Sequence, residues 1–228
     1  MKLSINEEMI LEVSKELPAD LLKKAVFLGG SIVSLLLTDK ALGNIRTTQD
    51  VDIVVDVPGR IGFHKLESRL RKAGFQQIIE EDAPICRWRI NTIKVDIMPC
   101  DQDILGFSNR WYNKTIEHAN TFSLEGIKIR IASAPYFLAT KIEAFLGRGN
   151  NDFMGSPDME DIITIIDGRS EITQEIKVSE SDLREYLHNK FQNWLQQDSF
   201  LNALPGHLPP DLASQERLEI IIERIKNI

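Results

Sequence analysis

Phe27-Leu28-Gly29-Gly30-Ser31 constrains the fold of this chain more than any other stretch. A short apolar run ends in two glycines, and a serine then opens an amphipathic segment over residues 32–37. Paired glycines permit backbone geometry that a Cβ forbids and let a ligand approach the main chain closely. At the start of a helix, N–H groups without intrahelical partners and the helix dipole favour an anion such as phosphate. Eighteen residues separate Ser31 from Asp50-Val51-Asp52-Ile53-Val54-Val55, a β-branched run in which Asp50 and Asp52 project from the same face of a strand. Carboxylates side by side repel one another, so the pair calls for a cation. Mg²⁺, commonly held by one or two carboxylates plus substrate phosphates, suits it.

A third acid lies in Lys94-Val95-Asp96-Ile97-Met98, another short strand by its apolar alternation. Residues 88–95 read as a hairpin turning at Asn91-Thr92, which returns Asp96 to the sheet. With that strand beside the one bearing Asp50 and Asp52, three carboxylates meet near a phosphate-binding turn, the apparatus of two-metal nucleotidyl transfer.

In these residues the sequence resembles the nucleotidyltransferase superfamily with the DNA polymerase β-like fold. Gly29-Gly30-Ser31 matches its G-[GS] motif, Asp50-x-Asp52 its D-x-D and Asp96 its third acid. Within it the chain looks most like the AbiEii/AbiGii-type bacterial nucleotidyltransferases, over about residues 25–168. The spacing between Ser31 and Asp50 is longer than the family's, and residues 39–48 are expected to form a loop. The later segment of the resemblance holds Lys141, Arg148, Asp158 and Asp161. Lys141 and Arg148 share roughly one helix face two turns apart. A lysine among Phe137, Leu138, Ile142 and Phe145 reads either as a positioned cation or as a stem snorkelling along the core. The resemblance implies contact of Lys141 with nucleotide phosphates, or a role as base, with Arg148 and Asp158 at the nucleotide. Asp158 and Asp161 equally suit a helix start after Ser156-Pro157.

The 228 residues, 43% hydrophobic and 27% charged, suit a water-soluble fold with a sizeable core. No apolar run approaches the roughly 20 residues of a membrane span. The N-terminus lacks the apolar core of a signal peptide, so a cytoplasmic location is expected. A net charge of −7 disfavours a broad nucleic-acid surface, although short basic clusters such as Arg87-Trp88-Arg89 occur. These read best as solvated faces and salt bridges. Cys86 and Cys100 lack metal-site spacing and read as buried thiols, and four scattered histidines make no metal set.

Taken in order, residues 6–24 form a helix interrupted at Pro18, residues 65–73 a helix stopped by Gly74, and residues 75–79 a short strand before an acidic turn at 80–84. Residues 115–122 and 127–131 read as two strands, with Trp111 and Tyr112 as packing rings. Residues 147–155 read as a mobile flap, and helices follow from Glu171. The fold expected is α+β: a mixed β-sheet with helices on one face in a core over 1–168, then a helical subdomain over 169–228 able to pack or to form a homodimer.

These features imply a metal-dependent nucleotidyltransferase that moves an NMP from an NTP to an acceptor hydroxyl. Asp50, Asp52 and Asp96 are its expected Mg²⁺ ligands, Gly29, Gly30 and Ser31 its triphosphate turn, and Lys141 a catalytic cation. The resemblance tilts the acceptor toward tRNA or a protein, and a toxin role implies an antitoxin partner. Two rivals are a catalytically inactive nucleotide-sensing or interaction module of the same fold and a hydrolytic phosphodiesterase. The intact trio of acids argues against the first. The second more often recruits histidines.

Overall fold

The computed structural model describes residues 3–39, 45–80, 84–106 and 109–228. By contacts the chain divides into two units, one of Met1–Ser34 and Arg46–Ser133, the other of Leu35–Ile45 and Ala134–Ile228.

The first unit begins with α1 (Ile5–Glu16), opened by a capping box in which Ser4 and Glu7 satisfy each other's backbone N–H groups. Leu17 ends it, Pro18 prevents continuation, and a single turn, α2 (Ala19–Leu22), leads into β1 (Val26–Leu28). A 3₁₀ turn over Gly30–Ile32 then runs into α3 (Val33–Leu36), so the anticipated helix opens as a tighter turn. Part of the expected loop, residues 40–44, lies outside the described residues. Its exit is fixed: buried Asn6 donates to the Arg46 carbonyl at 3.0 Å and accepts from the Thr48 N–H at 3.1 Å.

From there β2 (Asp50–Val55) leads to α4 (Gly59–Lys72), which starts a turn and a half earlier than residue 65 and stops at Gly74, φ 93°. Next come β3 (Gln76–Gln77), β4 (Arg87–Ile90) and β5 (Ile93–Pro99), while most of the acidic turn, residues 81–83, lies outside the described residues. The β4–β5 hairpin turns at Asn91, φ 51°, as the sequence suggests. Two short helices follow, α5 (Gln102–Leu105) and α6 (Tyr112–Glu117). The expectation of a strand from residue 115 is corrected here. The Asn109 side chain accepts from the Trp111 N–H, and the Trp111 carbonyl takes both the N–H and the hydroxyl of buried Thr115, closing a helical turn instead. The strand begins only at β6 (Asn120–Leu124) and folds back into β7 (Ile127–Ile131) through Glu125 and Gly126, both at positive φ.

The seven strands form one sheet in the order β3-β4-β5-β2-β1-β7-β6. The pairs β2–β5 and β1–β7 are parallel and the others antiparallel, which gives the mixed α+β sheet anticipated. Val51, Ile53, Trp88, Val95 and Phe27 are fully buried and supply its apolar side. Trp111 is also buried and Tyr112 reaches Met98 through its hydroxyl, so both rings pack as expected.

The second unit is helical: α7 (Ala134–Arg148), α8 (Pro157–Gly168), α9 (Ile172–Lys177), α10 (Ser181–Leu195), α11 (Asp198–Ala203) and α12 (Leu212–Lys226). Thus α7 and α8, which the sequence groups with residues 1–168, lie here. Every residue from Ala134 to Ile142 is buried, as expected of a central helix. The glycine-rich segment between α7 and α8 carries an anchor. Phe153 packs between Phe145, Trp194 and Phe200 at centroid separations of 5.1–5.7 Å, and its carbonyl meets the His207 ring at 2.7 Å. Arg217 and Arg224 tie α12 to the carboxylate and carbonyl of Asp167 at the end of α8.

Candidate active site

Strand register gathers the acids of the first unit. Arg87 stands opposite Asp96, Asp96 opposite Asp52, and Asp52 opposite Leu28, a single row across β4, β5, β2 and β1. Residues in one row share a face, and Asp50, two positions before Asp52, shares it too. The alternation that buries Val51, Ile53 and Val95 on one side therefore leaves Asp50, Asp52 and Asp96 together on the other.

Leu28 delivers the chain to Gly29, where φ is 74° and ψ −173°, a region open essentially to glycine alone. The Asp52 carboxylate lies against this residue, and a Cβ built on Gly29 would overlap its Oδ2 and Cγ. Gly29 thus meets both a conformational and a steric demand. Ser31 is fully buried, and its hydroxyl faces the Leu28 carbonyl at 3.5 Å, so the turn supplies close backbone around Gly29 and Gly30.

The acids are not left to repel one another. Arg87 forms a bidentate pair with Asp96, Nε to Oδ1 at 2.8 Å and a terminal nitrogen to Oδ2 at 2.6 Å. The same guanidinium lies 3.5 Å from Asp50. These bonds raise the Arg87 pKa further above its ordinary value, the Asp96 hydrogen bonds outweighing burial. Cys86, next in the chain, is pushed up to about 12 by burial and then by the negative charge of Asp96. Among the described residues no three histidine, cysteine, aspartate or glutamate side chains stand ready as a metal cage. The donor chemistry nevertheless fits a hard cation, since Asp50, Asp52 and Asp96 offer only carboxylate oxygens. In the conformation described, Arg87 supplies positive charge where such a cation would be held.

The other anticipated residues lie in the second unit and form a cluster of their own. Lys141 Nζ sits 3.0 Å from Asp158 Oδ1 and 2.7 Å from Asp161 Oδ2, with all three residues buried. Arg148 closes the outer side, Nε to Asp158 Oδ2 at 2.8 Å and a terminal nitrogen to Oδ1 at 2.9 Å. Burial pushes the Asp158 pKa up, but the Arg148 hydrogen bonds and the Lys141 and Arg148 charges outweigh it and leave the carboxyl below its ordinary value. Ser156 occupies the N-cap position of α8 without a side-chain cap bond, and Asp158 in the first turn is committed to these cations.

Sequence reading passed over Arg87 as part of a solvated basic cluster. The signal was present: a hairpin turning at Asn91-Thr92 pairs residue 90 with 93 and therefore 87 with 96. A separate cleft of about 540 Å³, lined by Asp56, Gly59, Cys100, Asp101 and Arg110, opens beyond the C-terminal ends of β2 and β5 and includes none of the anticipated residues.

No protein-family model matches the sequence, and no curated protein matches it. Among solved structures it is similar to an antigenic nucleotidyltransferase-like protein from Paracoccidioides brasiliensis. That match has 23% identity and a TM-score of 0.54, over 88% of this chain and 94% of the other. JHP933 from Helicobacter pylori aligns over 99% of this chain and 92% of its own at 16% identity, with a TM-score of 0.49. At these identities the likeness is one of fold: the chain has the mixed-sheet architecture of a nucleotidyltransferase-like protein.

Proposed function

We propose that the chain is a nucleotidyltransferase that moves an NMP from an NTP to an acceptor hydroxyl, with release of pyrophosphate. The observation that carries this reading is the row joining Asp96 to Asp52, with Asp50 on the same face and the Gly29–Gly30 turn alongside. The nucleotidyltransferase-like fold supports it.

Asp50, Asp52 and Asp96 would hold Mg²⁺, which when bound draws charge from the triphosphate and lowers the pKa of a coordinated hydroxyl. The Gly29–Gly30 backbone gives a phosphate close access to the main chain. Asp96 is the carboxylate placed to take a proton from the acceptor hydroxyl, and it becomes free for that role when Arg87 releases it. Lys141, Arg148 and Asp158 form an ion cluster that positions α7 against α8 within the second unit. Their contact with nucleotide, like an acceptor of tRNA or protein and an antitoxin partner of an AbiEii-type toxin, rests on the resemblance alone.

Isothermal titration of each NTP with Mg²⁺, on the wild type and on Asp50→Ala/Asp52→Ala, tests the reading. Metal-dependent binding of an NTP that is lost in the variant is expected, and equal binding by both proteins would overturn it. One observation favours a second reading, a nucleotide-sensing module: Arg87 already neutralises two of the acids. Pyrophosphate release on addition of total tRNA or protein separates the two readings, since a sensor binds and releases none.

A further inference from the structure

We infer that Arg87 and a divalent cation compete for the same carboxylates, so that Arg87 sets the cation affinity of the acid site. The inference rests on reading Asp50, Asp52 and Asp96 as the cation's ligands.

Register places Arg87 directly across from Asp96, and hairpin closure at Asn91 fixes that register. The guanidinium takes both oxygens of Asp96 and stands 3.5 Å from Asp50, so it draws on two of the three acids. A carboxylate accepting a bidentate arginine offers its best lone pairs to that arginine and not to a metal. Of its neighbours on this face, Arg89 reaches Gln76, and Lys94, opposite Asp50 in the strand register, is exposed. Arg87 also has somewhere to go: its side chain is 26% exposed, and its long stem lets the head swing to solvent without moving β4. With the guanidinium seated, Asp96 and Asp50 share its positive charge. With it removed, those two carboxylates are open to a cation, and the protein gains affinity.

The experiment is an Mn²⁺ titration of the full chain, with free ion read by electron paramagnetic resonance. Wild type, Arg87→Met and Arg87→Lys are compared, with Asp50→Ala/Asp52→Ala as background. Methionine keeps the apolar stem and removes the fork. Arg87→Met is expected to lower the Mn²⁺ Kd roughly tenfold or more, the size that a charge-assisted bidentate pair commands. Lysine keeps the charge without the fork and is expected to lower it by about threefold. If the wild type binds Mn²⁺ above background and the folded variants bind no more tightly, competition is overturned and the acid site stands. If neither wild type nor Arg87→Met exceeds background, both the competition and the acid site fall. Circular dichroism establishes folding, and where Arg87→Met is unfolded the lysine variant decides the matter, an unchanged Kd overturning the inference.

Discussion

At the scale of single residues, Gly29 shows how a strand end becomes a site. Its dihedral angles lie where other residues are strained by about 1–3 kcal/mol, and the Asp52 carboxylate fills the space of a Cβ. Gly29→Ala therefore has to distort the turn and push Asp52 aside at once. The expected result is a loss of roughly 2 kcal/mol or more in urea unfolding, with Mn²⁺ affinity falling alongside. Gly59→Ala is the contrast: Gly59 also has positive φ, 58°, but its Cβ would meet nothing within 4 Å. That variant should carry the cost of a positive φ and leave cation binding unchanged. If both variants alter Mn²⁺ affinity equally, the close approach of Asp52 to Gly29 has no part in shaping the site.

Elements decide which residues meet, and much of that pairing is invisible to a local reading of the sequence. Asp50, Asp52 and Asp96 were legible because strand periodicity of two is local, and β-branched neighbours declare a buried opposite face. The row linking them to Arg87 was legible in principle from the hairpin turn, yet an arginine in a run of basic residues gave no local sign of its partner. Thr115 misled for a similar reason. A β-branched residue favours strand, while buried hydrogen bonds to the Trp111 carbonyl draw it into a helix. Lys141 was legible as an oddity within an apolar helix, but its two carboxylate partners lie on α8, and no periodicity within α7 announces them. Burial makes this cluster sensitive. Removing Lys141 leaves Asp158 with Arg148 and Asp161 without its buried cation, so Lys141→Met is expected to cost about 3–5 kcal/mol by urea unfolding. A loss below about 1 kcal/mol would show that the cluster contributes little to holding α7 against α8, and would return Lys141 to consideration as a nucleotide contact.

For the whole molecule, the buried carboxylates of the second unit give stability opposite dependences on pH. Asp158 is raised by burial but brought lower still by Arg148 and Lys141, so its folded pKa lies under the ordinary 3.8. A depressed carboxyl contributes stability in full above the unfolded value and loses it as pH falls through the folded value. Asp167 is the reverse case. Burial raises its pKa above 3.8 despite the Arg217 hydrogen bond, so only between the unfolded and the raised folded value does the folded chain hold a proton that the unfolded chain has released. Its contribution is present in full below the unfolded value and declines as pH rises from there through the raised folded pKa. Stability measured by urea unfolding in steps across the acid range should therefore show both slopes. Asp158→Asn is expected to lower stability at neutral pH and to flatten the fall below about pH 4. Asp167→Asn should remove the decline that sets in above about pH 4 and leave the acid fall in place. If Asp158→Asn keeps the wild-type slope below about pH 4, the Lys141–Asp158–Arg148 cluster does not hold its carboxylate charged in solution, and the low acid limb must come from other carboxylates.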